Sequence, residues 1–175
     1  MGRTRERSTA VAMPAVPADG WTVLYDVAWP GRRRMVIDHV VAGPPGVFVL
    51  TTESWSGRVV LEDGELRHEG RNRIDALRHA VAAAAAVASV WPGEPPAPVH
   101  AVLHLTGADR PSAWLGCVTV CSTEAMVPAL TALPRALSDE QARIIVSDLR
   151  WLLRGAGESR SPALSPYPRS AARAR

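Results

Sequence analysis

Two apolar segments separated by a Gly-Pro-Pro-Gly sequence constrain the fold more than any other feature of this chain. Residues 35–42 read MVIDHVVA and residues 47–50 read VFVL, so both segments are apolar at nearly every position. This composition is typical of a strand that is buried on both faces. The short turn over Gly43–Gly46 favours a hairpin. We therefore expect the two segments to pair at the centre of a sheet.

Strand patterns also occupy other parts of the chain. They are found over residues 21–29, in two short runs around Asp63-Gly64, over residues 99–106 and over residues 114–121. Alternation or continuous apolar character predicts the longer strands, and Asp-Gly is a preferred hairpin turn. These segments add strands to a sheet built on the central hairpin.

Three segments favour helices. Residues 71–90 contain no helix breaker and are rich in Ala. A short helix is expected within residues 122–134, after a Ser/Thr cap. The last helix begins at a capping box made by Ser138 and Gln141, and we expect it to end at Gly155. Its predicted apolar stripe consists of Ile144, Ile145, Leu149, Leu152 and Leu153.

The order of these elements predicts one α/β domain with a mixed central β-sheet flanked by helices. A chain of 175 residues is long enough to bury a core of this kind. We expect the domain to span residues 21–155. Residues 1–20 are expected to form a flexible leader, and the Ser/Pro/Arg-rich residues 156–175 a disordered tail.

The apolar segments do not predict a membrane protein. The longest one, from His79 to Trp91, is shorter than the roughly 20 residues that span a bilayer. Prolines interrupt the apolar part of residues 1–20, which makes a poor secretion signal. We therefore expect a cytoplasmic protein without membrane contacts.

All 20 basic residues counted as Lys or Arg are arginines, against 17 acidic residues, for a formal net charge of +3. A mildly basic chain permits an anionic partner without requiring one. Cys117 and Cys121 are predicted on one strand, about 13 Å apart along it, which is too far for a disulfide. We expect both to be core thiols. The sequence contains no phosphate-binding glycine loop, nucleophile elbow or Cys-x-x-Cys pair.

The segments IDHVV, GPPGVFVL, WSG followed by two valines, and DGEL together resemble the nuclease-related domain (NERD) family. The later segment LSDEQARIIVSDLRWLL is similar to the closing helix of that family, so the resemblance covers about residues 20–154. It implies a restriction-endonuclease-like core. It also implies Mg²⁺- or Mn²⁺-dependent hydrolysis of phosphodiesters.

The resemblance implies positions for the site residues. Asp38 matches the first-strand carboxylate of the family. The positions of the second carboxylate and of a lysine two residues later hold Thr51 and Glu53, and the chain contains no lysine. In the family pattern the carboxylates hold a hard cation and the lysine activates water. Trp55 is interpreted as a structural anchor. The family's preceding helix with a Glu has no convincing match, with Glu6 as a weak candidate.

This departure leaves three hypotheses open. In the first, the active site is degenerate and the domain binds DNA or a protein partner, or regulates an active relative. In the second, the protein is a weak nuclease in which Asp38 and Glu53 hold Mg²⁺ or Mn²⁺. In the third, it is a protein-interaction domain without a nucleic-acid role. A structural role is the alternative for each residue: Asp38 could hydrogen-bond a turn, and Glu53 could be a solvated charge at the end of a strand.

Five arginines are candidates for contacts with nucleic-acid phosphates, because guanidinium binds phosphate in a bidentate manner. They are Arg32, Arg33 and Arg34 in a predicted turn, and Arg71 and Arg73 at the start of the predicted mid-chain helix. Such contacts give affinity without sequence specificity. The alternative is a solvated, charged turn.

Overall fold

The computed structural model describes residues 15–17, 19–32, 34–107 and 113–157. Within these residues the strands are β1 (Thr22–Ala28), β2 (Val36–Gly43), β3 (Gly46–Ser54), β4 (Val59–Glu62), β5 (Glu65–His68), β6 (Arg71–Asn72), β7 (Val99–Thr106), β8 (Ala113–Leu115) and β9 (Val118–Ser122). The helices are α1 (Ile74–Ala88), α2 (Thr123–Thr131) and α3 (Asp139–Gly157). Most of the predicted leader and tail lies outside the described residues.

A six-stranded sheet forms the centre of the domain, in the order β1-β2-β3-β7-β9-β8. The β1-β2, β2-β3 and β8-β9 pairs are antiparallel, whereas β3-β7 and β7-β9 are parallel. A small antiparallel sheet holds β4, β5 and β6. The prediction of a mixed α/β fold with helices flanking a central sheet is confirmed.

The predicted hairpin of β2 and β3 is also confirmed. Its register runs from Gly43 opposite Gly46 to His39 opposite Leu50. Gly46 has a φ of +140°, and a Cβ atom there would lie 2.5 Å from the carbonyl oxygen of Pro98. That carbonyl accepts a hydrogen bond of 2.9 Å from the backbone N–H of Val47. Only glycine fits this approach of the hairpin to the segment before β7.

Helices α1 and α3 cover one face of the large sheet. The buried side chains of α1 include Leu77, Ala80 and Ala83, and alanines let the helix backbone lie close to the strands. From α3, Ile145 and Leu149 are buried in the same core. Ile144 was predicted in this stripe but is 53% exposed, because it is rotated away from the sheet.

Helix α2 covers the opposite face, where Phe48, Leu50 and Met126 form a second core. The capping box of α3 is present: Ser138 and Gln141 exchange hydrogen bonds of 2.8 and 3.2 Å between side chain and backbone. None of the helices in the described part of the chain is long and apolar enough to cross a membrane.

The segment predicted as one strand over residues 114–121 is instead a hairpin of β8 and β9. The chain turns at Gly116, whose φ is +60°, and Cys117 follows in the turn. Cys117 is exposed, so its prediction as a core thiol was wrong. Cys121 is buried on β9, and this burial raises the pKa of its thiol to about 12.

Candidate functional site

Asp38 lies where β2 and β3 stop pairing. The ladder ends at His39 and Leu50, and the carboxylate Oδ2 of Asp38 accepts a hydrogen bond of 2.7 Å from the backbone N–H of Thr52. If the register continued, Thr52 would lie opposite Ile37. The carboxylate of Asp38 therefore takes the place of a backbone carbonyl as the acceptor for Thr52 at the end of the ladder. On the other side of β2, pairing with β1 is interrupted at Asp26, which has a φ of +49°. Asp38 therefore terminates the strand pairing at this point.

Thr51 occupies the position that the resemblance assigns to a second carboxylate. Its side chain is 5% exposed, and its hydroxyl donates a hydrogen bond of 3.5 Å to the carbonyl oxygen of Val102 on β7. The neutral hydroxyl is thus held within the sheet. It contributes no negative charge to a metal site.

Glu53 is half-buried near the end of β3, where its Oε2 accepts a hydrogen bond of 3.2 Å from the indole N–H of Trp55. It lines a cleft of about 360 Å³ between the end of β3 and the start of α1. The other lining residues are Trp55, Asn72, Arg73, Asp75, Ala76 and His79. Asp38 is not among the residues that line this cleft.

The surroundings of Asp38 contain two buried histidines on the α2 side of the sheet. Burial lowers the pKa of His39 and of His104, and the negative charge of Asp38 partly opposes this effect at both. The Nε2 atom of His104 lies 2.9 Å from the hydroxyl of Thr123. Within the described residues, the Nδ1 atoms of both rings and the Thr52 hydroxyl are buried without a hydrogen-bond partner.

Arg73 is fixed at the wall of the cleft by aromatic residues. Its guanidinium carbon lies 5.2 Å from the ring centre of Trp55, and its Nη2 donates to Nδ1 of His68 at 3.0 Å. His68 stacks on Trp55 with a centroid distance of 5.0 Å, and its Nε2 lies 2.8 Å from the carbonyl oxygen of Ser56. Because guanidinium only donates, Nδ1 of His68 is the acceptor in this contact. Arg73 is therefore held in place before any ligand arrives.

The start of α1 presents further polar groups at the cleft. The backbone N–H of Ile74 donates to Oδ1 of Asn72 at 2.8 Å, and the backbone N–H of Arg73 donates to the carbonyl of Leu66 at 2.8 Å. These bonds fix the entry of the chain into the helix. Sequence reasoning missed Asn72 and His79. The available signal was a run of polar residues directly before and within the first turns of an Ala-rich helix.

The other candidate arginines lie around the cleft or outside the described residues. The guanidinium of Arg32 lies 5.0 Å from the ring centre of Trp29, and Trp29 contacts the cleft residue His79 with a centroid distance of 5.0 Å. Arg71 is exposed and precedes Asn72. Arg34 is exposed in the turn with a φ of +68°, and Arg33 is not described. Arg32 thus contacts a residue that packs on the cleft residue His79, and Arg71 adjoins the cleft residue Asn72 in sequence.

A hard divalent cation such as Mg²⁺ is bound in proteins through one or two carboxylates, with waters and substrate phosphates as its other ligands. Both Asp38 and Glu53 already accept hydrogen bonds from the protein, and Thr51 is neutral and buried. In the part of the chain that the structure describes, no group of three or more His, Cys, Asp or Glu side chains is arranged to hold a metal ion.

A protein-family model described as nuclease-related domain matches residues 1–106, which is more than half of the 175-residue chain. The matched part contains the hairpin of β2 and β3, the cleft and β7. Comparisons with curated proteins and with solved structures gave no match.

Proposed function

Because this chain belongs to the nuclease-related domain family, we propose that it binds nucleic acid with a site whose metal-dependent hydrolysis is impaired. The observation that carries this proposal is the state of the three family-equivalent residues. Asp38 terminates a strand ladder, Thr51 is a buried hydroxyl, and Glu53 hydrogen-bonds Trp55.

Each of these features opposes phosphodiester hydrolysis. A carboxylate that already accepts a charge-assisted hydrogen bond loses part of its capacity for a cation. At the lysine position, Glu53 brings a negative charge where the reaction develops negative charge on phosphate oxygens. The sequence contains no lysine that could take over this role at the attacking water.

The arginines around the cleft support the binding part of the proposal. The ion pairs among the described residues are Arg67–Glu65, Arg78–Asp75 and Arg135–Asp139. Within that part of the chain, Arg32, Arg71 and Arg73 are therefore not neutralised by a carboxylate. The side chains of Arg32 and Arg71 are exposed, and exposed guanidinium groups bind phosphates with a salt dependence that comes from the release of counterions.

The test measures binding and hydrolysis on the same samples. Fluorescence anisotropy with labelled oligonucleotides over a range of salt concentrations gives the number of phosphate contacts. The double variant Arg32→Gln/Arg71→Gln is compared with Arg135→Gln, because Arg135 lies near Pro44, at the opposite end of β3 from Glu53. We expect the double variant to weaken binding and to reduce the magnitude of the salt slope by about 1–2, and the control to leave both unchanged.

A plasmid-nicking assay with Mg²⁺ and with Mn²⁺ completes the test. We expect no nicking by the wild-type protein. Nicking that disappears in Asp38→Ala would refute the impaired site and favour the weak nuclease. Absence of binding to DNA and RNA at low salt would refute the nucleic-acid role and favour a protein partner.

A further inference from the structure

We propose that the cleft beside Glu53 and Arg73 binds one unpaired guanine base of a single-stranded nucleic acid. This inference rests on the proposed nucleic-acid role and names the ligand group that the cleft itself recognises. Two observations lead to it: hydrogen-bonding groups of the cleft have no partner, and the side chains that line the cleft carry charges of both signs.

Several polar groups in the cleft have hydrogen-bonding capacity that the described residues do not use. The Nε atom of Arg73 is buried without a partner. Glu53 uses Oε2 for Trp55, and no hydrogen bond within the described part of the chain reaches its Oε1. Asn72 uses its carbonyl oxygen for Ile74, which leaves its amide N–H groups as donors. Of these groups, the Nε atom of Arg73 is the buried one without a partner, and a bound ligand that accepts its hydrogen bond would account for it.

The charges in the cleft oppose a bare phosphate as this ligand. Glu53 contributes a carboxylate to the same lining as Arg73, and the second lining carboxylate, Asp75, is exposed and paired with Arg78. Although Glu53 and Arg73 share the cleft, they form no salt bridge in the described structure, where the pairs within 4.0 Å involve other residues. A ligand that both accepts from a guanidinium and donates to a carboxylate satisfies both side chains. A neutral nucleobase meets this requirement, whereas the phosphodiester group of a nucleic-acid backbone has no hydrogen-bond donor.

Guanine matches this pattern better than the other bases. Its O6 and N7 atoms form an acceptor pair that fits the fork of an arginine. Its N1–H and N2–H groups form a donor pair on the adjacent edge, which fits a carboxylate. Adenine presents a lone pair at N1 and has a single amino group, so a carboxylate facing its pairing edge meets repulsion. The volume of about 360 Å³ lies within the range of small-molecule sites.

The donor pair of guanine also indicates that the ligand is single-stranded. In a duplex, N1–H and N2–H pair with cytosine and are closed to a protein carboxylate. An unpaired base presents them together with O6 and N7, which is how proteins read single strands. The exposed Arg71, next to the cleft residue Asn72 in sequence, and Arg32, which packs on the Trp29 that contacts the cleft residue His79, would bind the neighbouring phosphates.

Both recognition groups are held rigidly, which reduces the entropic cost of binding. Trp55 is 7% exposed and contacts both of them, because its indole N–H donates to Glu53 and its ring lies under Arg73. His68 fixes Arg73 from a second direction.

The test uses fluorescence anisotropy with the full chain and labelled oligothymidylates that carry one central test base. The bases are guanine, adenine, inosine, which lacks the N2 amino group, and deazaguanine, in which carbon replaces N7. We expect guanine to bind about tenfold tighter than adenine, since a bidentate contact of this type discriminates by roughly 5- to 150-fold. Inosine and deazaguanine are expected to lie between the two.

Two variants assign the contacts to residues. In Glu53→Gln we expect guanine and inosine to bind equally, and in Arg73→Lys, which keeps the charge but loses the fork, we expect guanine and deazaguanine to bind equally. Glu140→Gln and Arg135→Lys, at exposed positions at or near the start of α3, serve as matched controls and should retain the guanine preference. Circular dichroism and urea unfolding verify that each variant folds.

The outcomes separate this inference from the proposed function. Equal binding of all four bases by the wild-type protein overturns the guanine site and leaves nucleic-acid binding intact. No binding of any oligonucleotide overturns both. An oligouridylate with one guanine distinguishes RNA from DNA as the strand. Competition by GMP at the affinity of the oligonucleotide would overturn the single-strand part, because the ligand would then be a free nucleotide.

Discussion

Replacement of Asp38 by Ala is predicted to destabilise the fold by about 2 kcal/mol. The carboxylate accepts a partly buried hydrogen bond of 2.7 Å from the N–H of Thr52, and hydrogen bonds to charged groups contribute about 1.5–3 kcal/mol. The variant removes the acceptor and leaves the N–H of Thr52 without its partner where β2 and β3 separate. For a chain of this size the loss corresponds to a decrease of roughly 4–8 °C in melting temperature.

The measurement is urea unfolding, with the free energy obtained by linear extrapolation and with calorimetric melting as a second readout. Asp38→Asn keeps an oxygen acceptor without the charge, so about half of the effect is expected. Glu94→Ala, which removes an exposed carboxylate from the loop after α1, is the control and should change stability by less than about 0.5 kcal/mol. Unchanged or increased stability of Asp38→Ala would refute the structural role and favour a carboxylate kept for a cation.

Three further predictions concern other parts of the fold. Burial lowers the pKa of His100 and His104 below the usual 6.5, so the unfolded chain takes up protons first and stability is lost as pH falls below about 6.5. Urea unfolding from about pH 8 to about pH 5 should show this loss, and replacing both histidines with Gln should reduce it, leaving the part that comes from His39, whose pKa burial also lowers. A maleimide should modify Cys117 in the native protein and Cys121 only after unfolding, so mass spectrometry should detect one adduct and then two. Gly46→Ala should cost at least about 2 kcal/mol in urea unfolding, because its Cβ would clash with the carbonyl oxygen of Pro98; an unchanged midpoint would contradict the close approach.

Local patterns were sufficient to predict much of the sheet. The apolar segments around Gly43–Gly46 specify a buried hairpin because turn chemistry and composition act within a few residues. The same local reasoning failed where a residue type is compatible with two structural environments. The sequence pattern predicts Gly116 within a strand. In the structure its positive φ turns the chain, and Cys117 is therefore exposed to solvent. Ile144 and Ile145 are adjacent apolar residues, and packing against the sheet selects only Ile145.

The site was less predictable because it depends on contacts between distant segments. The resemblance assigns Asp38 and Glu53 to neighbouring strands, but it does not reveal that the strands separate at Asp38. The cleft forms where the end of β3 meets the start of α1, and this contact depends on how the small sheet of β4–β6 returns the chain. Arg73 was predicted as one of several phosphate-binding arginines. Its half-buried position against Trp55 and His68 distinguishes it from the exposed Arg71.

The central claim is that Asp38, Thr51 and Glu53 do not form a working metal-dependent nuclease site. The most direct measurement is a calorimetric titration of Mn²⁺ into the wild-type protein and into Asp38→Ala, followed by plasmid nicking on the same samples. The proposed impairment predicts the same heats for both proteins and no nicking by either. A saturable binding isotherm that is present in the wild type and lost in Asp38→Ala, together with nicking that needs Asp38, would contradict it.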